Sequence, residues 1–383
     1  MLRLFELPEE LQTEASAVDD IQVNAGVRAE LDVTLACREA TSIYDYAWFP
    51  GMDSNDAATC CFLSSSRDQP LHLWDAYTAQ CRASYVAYNH LDEITSAHSV
   101  AFDPSGSKIY AGFERAIRVF DVGRPGRHCD LRPTCATKRS REGQRGIISC
   151  FAFAPDYWGL YAAGSYSGTT GLYDERDPSH LIVELASHGG GVTQATFSAD
   201  GLYLFVGARR DGSIRMWDVR QSCAVLATFE RRAPTNQRIG FELLGAASEG
   251  LLTASQDGSV LLYNTSDPAA PPTTLLTFGS ATNTATRHPS LPMLAVAEGE
   301  RTFQLSTGDA RQALDEDGQT TTCESAAAGD ESEDEDEARP RGSNGLSLWI
   351  LPQQQALHDG AAGTEMASEA GRGLEDGRWD DPV

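Results

Sequence analysis

The chain has 383 residues, 41% hydrophobic and 22% charged, with a formal net charge of −25, a globular composition with material for one large core or two smaller ones. No apolar run approaches the roughly 18 residues of a membrane helix, and the opening MLRLFELPEE is too short and too acidic for a secretory leader, so neither composition nor charge predicts a membrane protein. Nine cysteines, one adjacent pair (Cys60-Cys61) and no CxxC among them, offer no disulfide framework or metal spacing and predict a soluble intracellular protein, with Cys60, Cys61 and Cys150 as buried reduced thiols in strands.

From the N-terminus, Leu2 to Leu7 alternates as a strand within residues 1–34, which carry eight acidic and two basic groups. A unit then recurs: an apolar strand, a short turn, and a strand closed by an aromatic and a polar residue. The closures are Trp74-Asp75, Phe120-Asp121, Tyr173-Asp174, Trp217-Asp218 and Tyr263-Asn264, spaced by 46, 53, 44 and 46 residues. The turns before them are Arg67 to Pro70, Phe113 to Arg115, Tyr166 to Gly168, Arg209 to Gly212 and Gln256 to Gly258, with earlier turns at Asp103 to Gly106 and Ser198 to Gly201. Gly191 to Arg220 is the fullest copy. A sixth copy opens near residue 281, with a turn at His288-Pro289-Ser290 and strands at Met293 to Ala297 and Thr302 to Leu305. Residues 309–341 then carry twelve acidic and three basic groups, which predicts disorder. Leu346 to Leu351 resumes a strand pattern and is expected to supply the outer strand of the last copy. Residues 358–383, seven acidic and two basic, end the chain in a second acidic tail.

A period of roughly 40 to 45 residues with Trp-Asp endings is the signature of WD-repeat propeller blades; a β-sandwich would need this spacing by accident. The expected fold is all-β: a WD-repeat β-propeller on a seven-bladed plan with the first blade truncated to its outer half. Residues 1–40 hold the residual outer strands, 41–308 the propeller, 309–344 the acidic insertion, 345–352 the outer strand of the last blade and 353–383 the tail. Leu2 to Leu7 resembles a third strand without its two inner partners. Since ring closure removes sheet edges, the expectation is that upstream sequence for those partners is missing. Well-formed blades carry a hydrogen-bonded His, Ser or Thr, Asp and Trp. The 191–220 copy offers His188, Asp211 and Trp217 but Ala208 at the expected hydroxyl position, and the 237–264 copy has Ser255 and Asp257 but Tyr263.

Several stretches are more specific than the repeat: Ser42 to Trp48 (SIYDYAW), Ser64 to Ala76 (SSSRDQPLHLWDA), Arg82 to Ser99, Arg124 to Arg127, Gly146 to Pro155 (GIISCFAFAP), Thr235 to Ile239 (TNQRI) and His288 to Ala295. Together, in order from about Leu2 to Leu305, they resemble the telomerase Cajal body protein family. The resemblance implies a nuclear, non-enzymatic propeller that binds a short loop element, the CAB box, of small Cajal body RNAs and telomerase RNA and targets these ribonucleoproteins to Cajal bodies. The partners it implies are those RNAs, H/ACA ribonucleoprotein components and Cajal body scaffold proteins. Members usually carry a longer N-terminal region and a complete first blade.

The residues make their own case for RNA. In a propeller, blade-joining loops and the turns between second and third strands emerge on one face. That face gathers Arg67, Arg115, Tyr166, Arg209 and Arg210 with Asn89, His90, Arg145, Asn236, Gln237 and Arg238. Arginine contacts phosphate or stacks on a base, amides read base edges and an aromatic ring stacks an unpaired base. The competing account is ordinary solvated turn residues, and for Tyr166 packing against a neighbouring blade. Asn89-His90 and Asn236-Gln237-Arg238 are the better candidates, being in blade-joining loops within the family-like stretches, whereas His188 suits the blade tetrad. Arg124, Arg127, Arg132, Lys138, Arg139, Arg141 and Arg145 face only Asp130 and Glu142 in sequence. They would clamp RNA backbone or be neutralised by the acidic insertion.

Catalysis is not expected: there is no GxSxG, HExxH or phosphate-binding glycine loop, and the Asp-Gly pairs are spaced as blade turns, not as a metal cage. No cofactor or metal is predicted. The alternative to RNA binding is a protein-interaction scaffold, such as a substrate receptor or chromatin adaptor, for which any WD fold qualifies.

Overall fold

Apolar runs of four to six residues broken by Asp, Ser and Gly cannot sustain a helix, and they fold as strands wherever the chain is described. The computed structural model describes residues 1–7, 33–135, 143–155, 159–185, 189–220, 224–299 and 345–350. It holds 25 strands and no helix among them. A two-stranded ribbon, β1 (Leu2–Phe5) with β2 (Val33–Cys37), comes first. Blade 1 is β3 (Ile43–Trp48), β4 (Cys61–Ser66), β5 (Leu71–Asp75) and β6 (Cys81–Tyr85). Blade 2 is β7 (Ser99–Phe102), β8 (Lys108–Phe113), β9 (Ala116–Asp121) and β10 (Asp130–Pro133). Blade 3 is β11 (Ile148–Phe153), β12 (Leu160–Ser165), β13 (Thr170–Asp174) and β14 (Asp177–Leu185). Blade 4 is β15 (Val192–Phe197), β16 (Tyr203–Ala208), β17 (Ser213–Asp218) and β18 (Val225–Glu230). Blade 5 is β19 (Phe241–Leu244), β20 (Gly250–Ala254), β21 (Ser259–Asn264) and β22 (Thr273–Thr277). The last sheet is β23 (Thr282–Arg287), β24 (Met293–Glu298) and β25 (Gly345–Ile350). Each sheet is an antiparallel meander in chain order, and together they form a β-propeller of six blades with a truncated start.

The turns explain the regularity. Between β7 and β8, Asp103 accepts the amide of Lys108 at 2.7 Å through Oδ1 and that of Gly106 at 2.9 Å through its carbonyl, with Gly106 at φ 71°. A side chain there would be strained and would collide with Phe49.

Hydrophobic cores lie between blades, because a meander cannot bury both faces alone. One cluster joins Leu63, Leu73 and Tyr85 of blade 1 to Val100, Ile109 and Phe120 of blade 2. Others join Tyr110 to Ile148 and Tyr161, Leu172 to Val192 and Trp217, Phe205 to Phe241 and Leu251, and Leu252 to Ala285 and Leu294. Around the axis the inner strands are also stitched pairwise by side chain to backbone. Asp45 accepts Val100 N at 3.0 Å, Ser99 donates to Ile148 O at 2.9 Å and Ser149 to Val192 O at 2.6 Å. Gln194 clamps Phe241 through both backbone groups at 2.6 and 3.1 Å, and Glu242 accepts Arg287 N at 3.0 Å.

One expectation changes. β25 pairs directly with β24, Leu294 opposite Trp349, so it holds the third position and not the fourth; Thr302 to Leu305, the segment expected there, lies outside the described residues. The segments read as disordered, 309–344 and 353–383, lie outside them as well. Cys60, Cys61 and Cys150 are buried and unbridged.

Candidate functional site

Each turn between second and third strands is pinned by its own amides to a blade-joining segment. Arg67 N donates to Ser42 O at 2.9 Å, Arg115 N to Gly146 O at 2.8 Å and Tyr166 N to Ile147 O at 2.9 Å. Arg209 N donates to Gly191 O and Arg210 N to Thr235 O, both at 2.9 Å. These bonds put turns and joining loops on one face of the ring, and they link the predicted residues into an arc. Arg115 adjoins Gly146 and hence Arg145; Arg145 O accepts the Ser165 and Ser167 hydroxyls at 2.5 and 2.7 Å beside Tyr166. Tyr166 touches Arg209, and Arg210 leads through Thr235 to Asn236, Gln237 and Arg238.

Within the arc the Arg209 guanidinium lies 3.9 Å from the centre of the Tyr166 ring, across the boundary between blades 3 and 4. Such a contact contributes about 0.5–2 kcal/mol. Gly191 makes it possible, since a Cβ there would meet Tyr166 backbone at 2.9 Å. Tyr166 thus packs on the next blade and also presents 38% of its surface to solvent. Arg115 and Arg210 occupy left-handed backbone, φ 57° and 55°, where any residue but glycine is strained by about 1 kcal/mol.

The other predicted residues are placed differently. Arg67 pairs with its neighbour Asp68 at 3.2 Å, both side chains largely exposed. The Asn89 amide is committed to its own loop, accepting Leu91 N at 2.8 Å and Glu93 N at 3.0 Å and donating to Glu93 at 2.9 Å; His90 beside it is exposed. Asn236 is exposed, and the Gln237 backbone N–H donates to the Thr235 hydroxyl at 3.1 Å. Of the basic stretch, Arg132 is buried, bonded to Asp130 at 2.9 Å and facing the Tyr110 ring at 5.4 Å, so it serves the blade 2 to blade 3 boundary. Arg127 lies 5.2 Å over Tyr88. Lys138, Arg139 and Arg141, like His188, lie outside the described residues.

Sequence reasoning missed three features. Arg238 reaches across the channel to Asp45 of β3 at 3.3 Å. Burial pushes the Asp45 carboxyl upward while the Arg238 charge draws it back, with a net rise. Tyr44 and His98 stack at 4.9 Å in the same mouth; burial lowers the His98 pKa, with Glu114 opposing. Glu39, between the ribbon and β3, enters blade 1 with its side chain 1% exposed. It accepts Ser64 at 2.5 Å, Ser66 at 2.9 Å, His72 at 3.1 Å and Trp74 at 3.3 Å. The aspartate alone among the aromatics of SIYDYAW could have flagged the first; a tetrad with glutamate for histidine has no repeat signal. Among the described residues no three His, Cys, Asp or Glu gather closely enough to hold a metal. The arc offers cations, a stacked aromatic and amides, a chemistry suited to a flexible anion with planar rings.

A family model for the WD domain, G-beta repeat, matches residues 179–218. Telomerase Cajal body protein 1 of Mus musculus is 43% identical over 313 residues, 80% of this chain and 56% of that protein. The protein of the same name in Homo sapiens is 43% identical over 312 residues, 80% and 54% of the two chains. The Telomerase Cajal body protein 1 homolog of Drosophila melanogaster is 31% identical over 316 residues, 80% and 55%. The chain spans about half the length of the curated relatives it matches.

Proposed function

From the premise that the aligned region belongs to the telomerase Cajal body protein family, we propose that this chain is a nuclear RNA-binding propeller. It recognises a single-stranded loop element of small Cajal body RNAs and telomerase RNA, associates with H/ACA ribonucleoprotein components and targets the assemblies to Cajal bodies. Its role is binding and not catalysis. The supporting observation is the arc from Arg115 to Arg238, with Arg209 stacked 3.9 Å from Tyr166. Two of its arginines hold backbone conformations that glycine would adopt without strain. Arg115 is partly buried and paired with Glu114, whereas Arg210 is exposed, and strain kept at an exposed cation is what a binding role for its side chain leads one to expect. The open side of Tyr166 is suited to stacking an unpaired base, and the arginines to its phosphates.

Crosslinking followed by RNA sequencing tests the reading: guide RNAs of the H/ACA class are expected, and RNA at background level would falsify it. Retention should fall steeply between low and moderate salt, since phosphate contacts release counterions. Arg210 is a cleaner probe than Arg209, whose guanidinium also joins two blades. Arg210→Gly is expected to leave thermal stability unchanged or higher by up to about 1 kcal/mol, while RNA affinity falls several-fold. Equal affinity for both proteins would remove Arg210 from the site.

A further inference from the structure

Four inner strands, β3, β11, β15 and β23, share one irregularity. In each the second residue has no partner in the register, and the third is re-aimed: Asp45, Cys150, Gln194 and Thr284. Gln194 uses this position to bond the next blade, its Oε1 accepting Phe241 N at 3.1 Å. Asp45 does the same for Val100 N at 3.0 Å through Oδ2. A neutral amide is enough for that bond, so the stitch does not explain a carboxylate. Burial moreover opposes its ionisation, and the net rise of its pKa means that Arg238 and the backbone N–H groups do not offset the loss of water. A charge kept at such a penalty points to the group it holds.

That group is Arg238. Its backbone is already fixed: Ile239 is buried with Ala233 and Ala254, Gly240 N donates to Asn283 O at 2.6 Å, and the buried Arg231 guanidinium donates to Gly240 O at 3.3 Å. The Arg238 side chain is half exposed, and its long stem is free to rotate unless something ties the end. Oδ1 of Asp45 accepts Nη1 at 3.3 Å. The other guanidinium nitrogens have no acceptor among the described residues.

We propose that Asp45 is a positioning residue for RNA: it fixes the Arg238 guanidinium over the channel mouth, so that the remaining donors meet the acceptor edge of one unpaired base in a set orientation. This rests on the RNA reading above. Pairing with Asp45 weakens Arg238 as a general phosphate contact, whereas a guanidinium plane held in place suits a base edge, where donor geometry decides.

Asp45→Asn tests it, because the amide keeps an acceptor for Val100 N and removes only the charge. Binding of the full chain to a guide RNA of the H/ACA class is compared with binding to oligouridine of equal length. The unaltered chain is expected to prefer the guide RNA. In Asp45→Asn the guide affinity should fall at least about fivefold, while oligouridine binds equally or more tightly, the chain being one charge less acidic. Arg238→Gln, at a half-exposed side chain, should lose guide affinity to a similar degree, and adding Asp45→Asn to it should remove nothing further. Equal weakening for both RNAs means that Asp45 only supports the fold, equal tightening that it only neutralises charge, and additive losses that it does not act through Arg238; each overturns the proposal. A guide preference that survives in Asp45→Asn overturns it alone. No preference in the unaltered chain overturns the RNA reading, and this proposal with it.

Discussion

Glu39 joins the ribbon to the ring by chemistry that the repeat pattern conceals. Burial opposes its ionisation, but hydrogen bonds from His72 and Ser64, the His72 charge and the Ser66 bond outweigh it and hold the carboxyl at about 2. The folded value lies below the ordinary 4.5. Its contribution is therefore complete above pH 4.5 and lost as pH falls toward 2, about 3 kcal/mol in all. Glu39→Gln should be less stable at neutral pH and should flatten acid unfolding between pH 4.5 and 2, checked by denaturant titration across that range. Ser64 also accepts the Trp74 indole at 2.7 Å. By register, Phe62 opposes Trp74 and Leu204 opposes Trp217, so the residue matching Ser64 in blade 4 is Val206. The hydroxyl expected at Ala208 belongs two residues earlier. The Trp217 nitrogen accordingly has no partner among the described residues. Trp217 is the more deeply buried of the two, but among the described residues only Trp74→Phe loses hydrogen bonds. That loss should cost about 1–2 kcal/mol, measured by chemical denaturation.

At the scale of elements, what could be read from sequence was what a period of two and a turn dictate. The closures at Trp74, Phe120, Tyr173, Trp217 and Tyr263 fall at the ends of β5, β9, β13, β17 and β21, because an apolar strand and a turn are local. The face carrying Arg115, Tyr166, Arg209 and Arg210 was legible for the same reason. Partnership across the chain was not: the Asp45 to Arg238 bond spans 193 positions, and nothing local marks either end. The pairing of β25 escaped likewise, since strand character at Leu346 does not say which edge it takes. Leu294 lies opposite Trp349, whose ring meets Phe278 edge-on at 5.5 Å. Trp349→Ala should therefore cost about 2–3 kcal/mol, felt mainly in the last sheet. Hydrogen exchange should accelerate in Met293–Glu298 and leave Leu160–Ser165 unchanged; equal acceleration in both would mean that the ring opens as one unit.

For the whole molecule, a ring of blades is a closed one-dimensional array, and its stability depends on neighbour interfaces more than on any single blade. Blades 2 to 5 have a packed neighbour and an inner-strand stitch on both sides. Between the last sheet and blade 1, the seam of the ring, Leu7 packs against Met293 and Glu39 bonds within blade 1. Among the described residues no inner-strand stitch crosses this seam, so opening there breaks the fewest such bonds. Native-state hydrogen exchange should rank the sheets accordingly: the ribbon and β23 to β25 open at the lowest free energy, blades 3 and 4 at the highest. The Gln194 clamp tests the logic. Its amide supplies both bonds between the inner strands of blades 4 and 5, at 2.6 and 3.1 Å. Gln194→Ala leaves two buried backbone groups of Phe241 without those partners, at about 1–3 kcal/mol. A second weak seam should then appear, with β19 to β22 exchanging at free energies near those of the last sheet and blade 2 unaffected. If blade 2 accelerates equally, stability is shared around the ring and the seam is not where it opens.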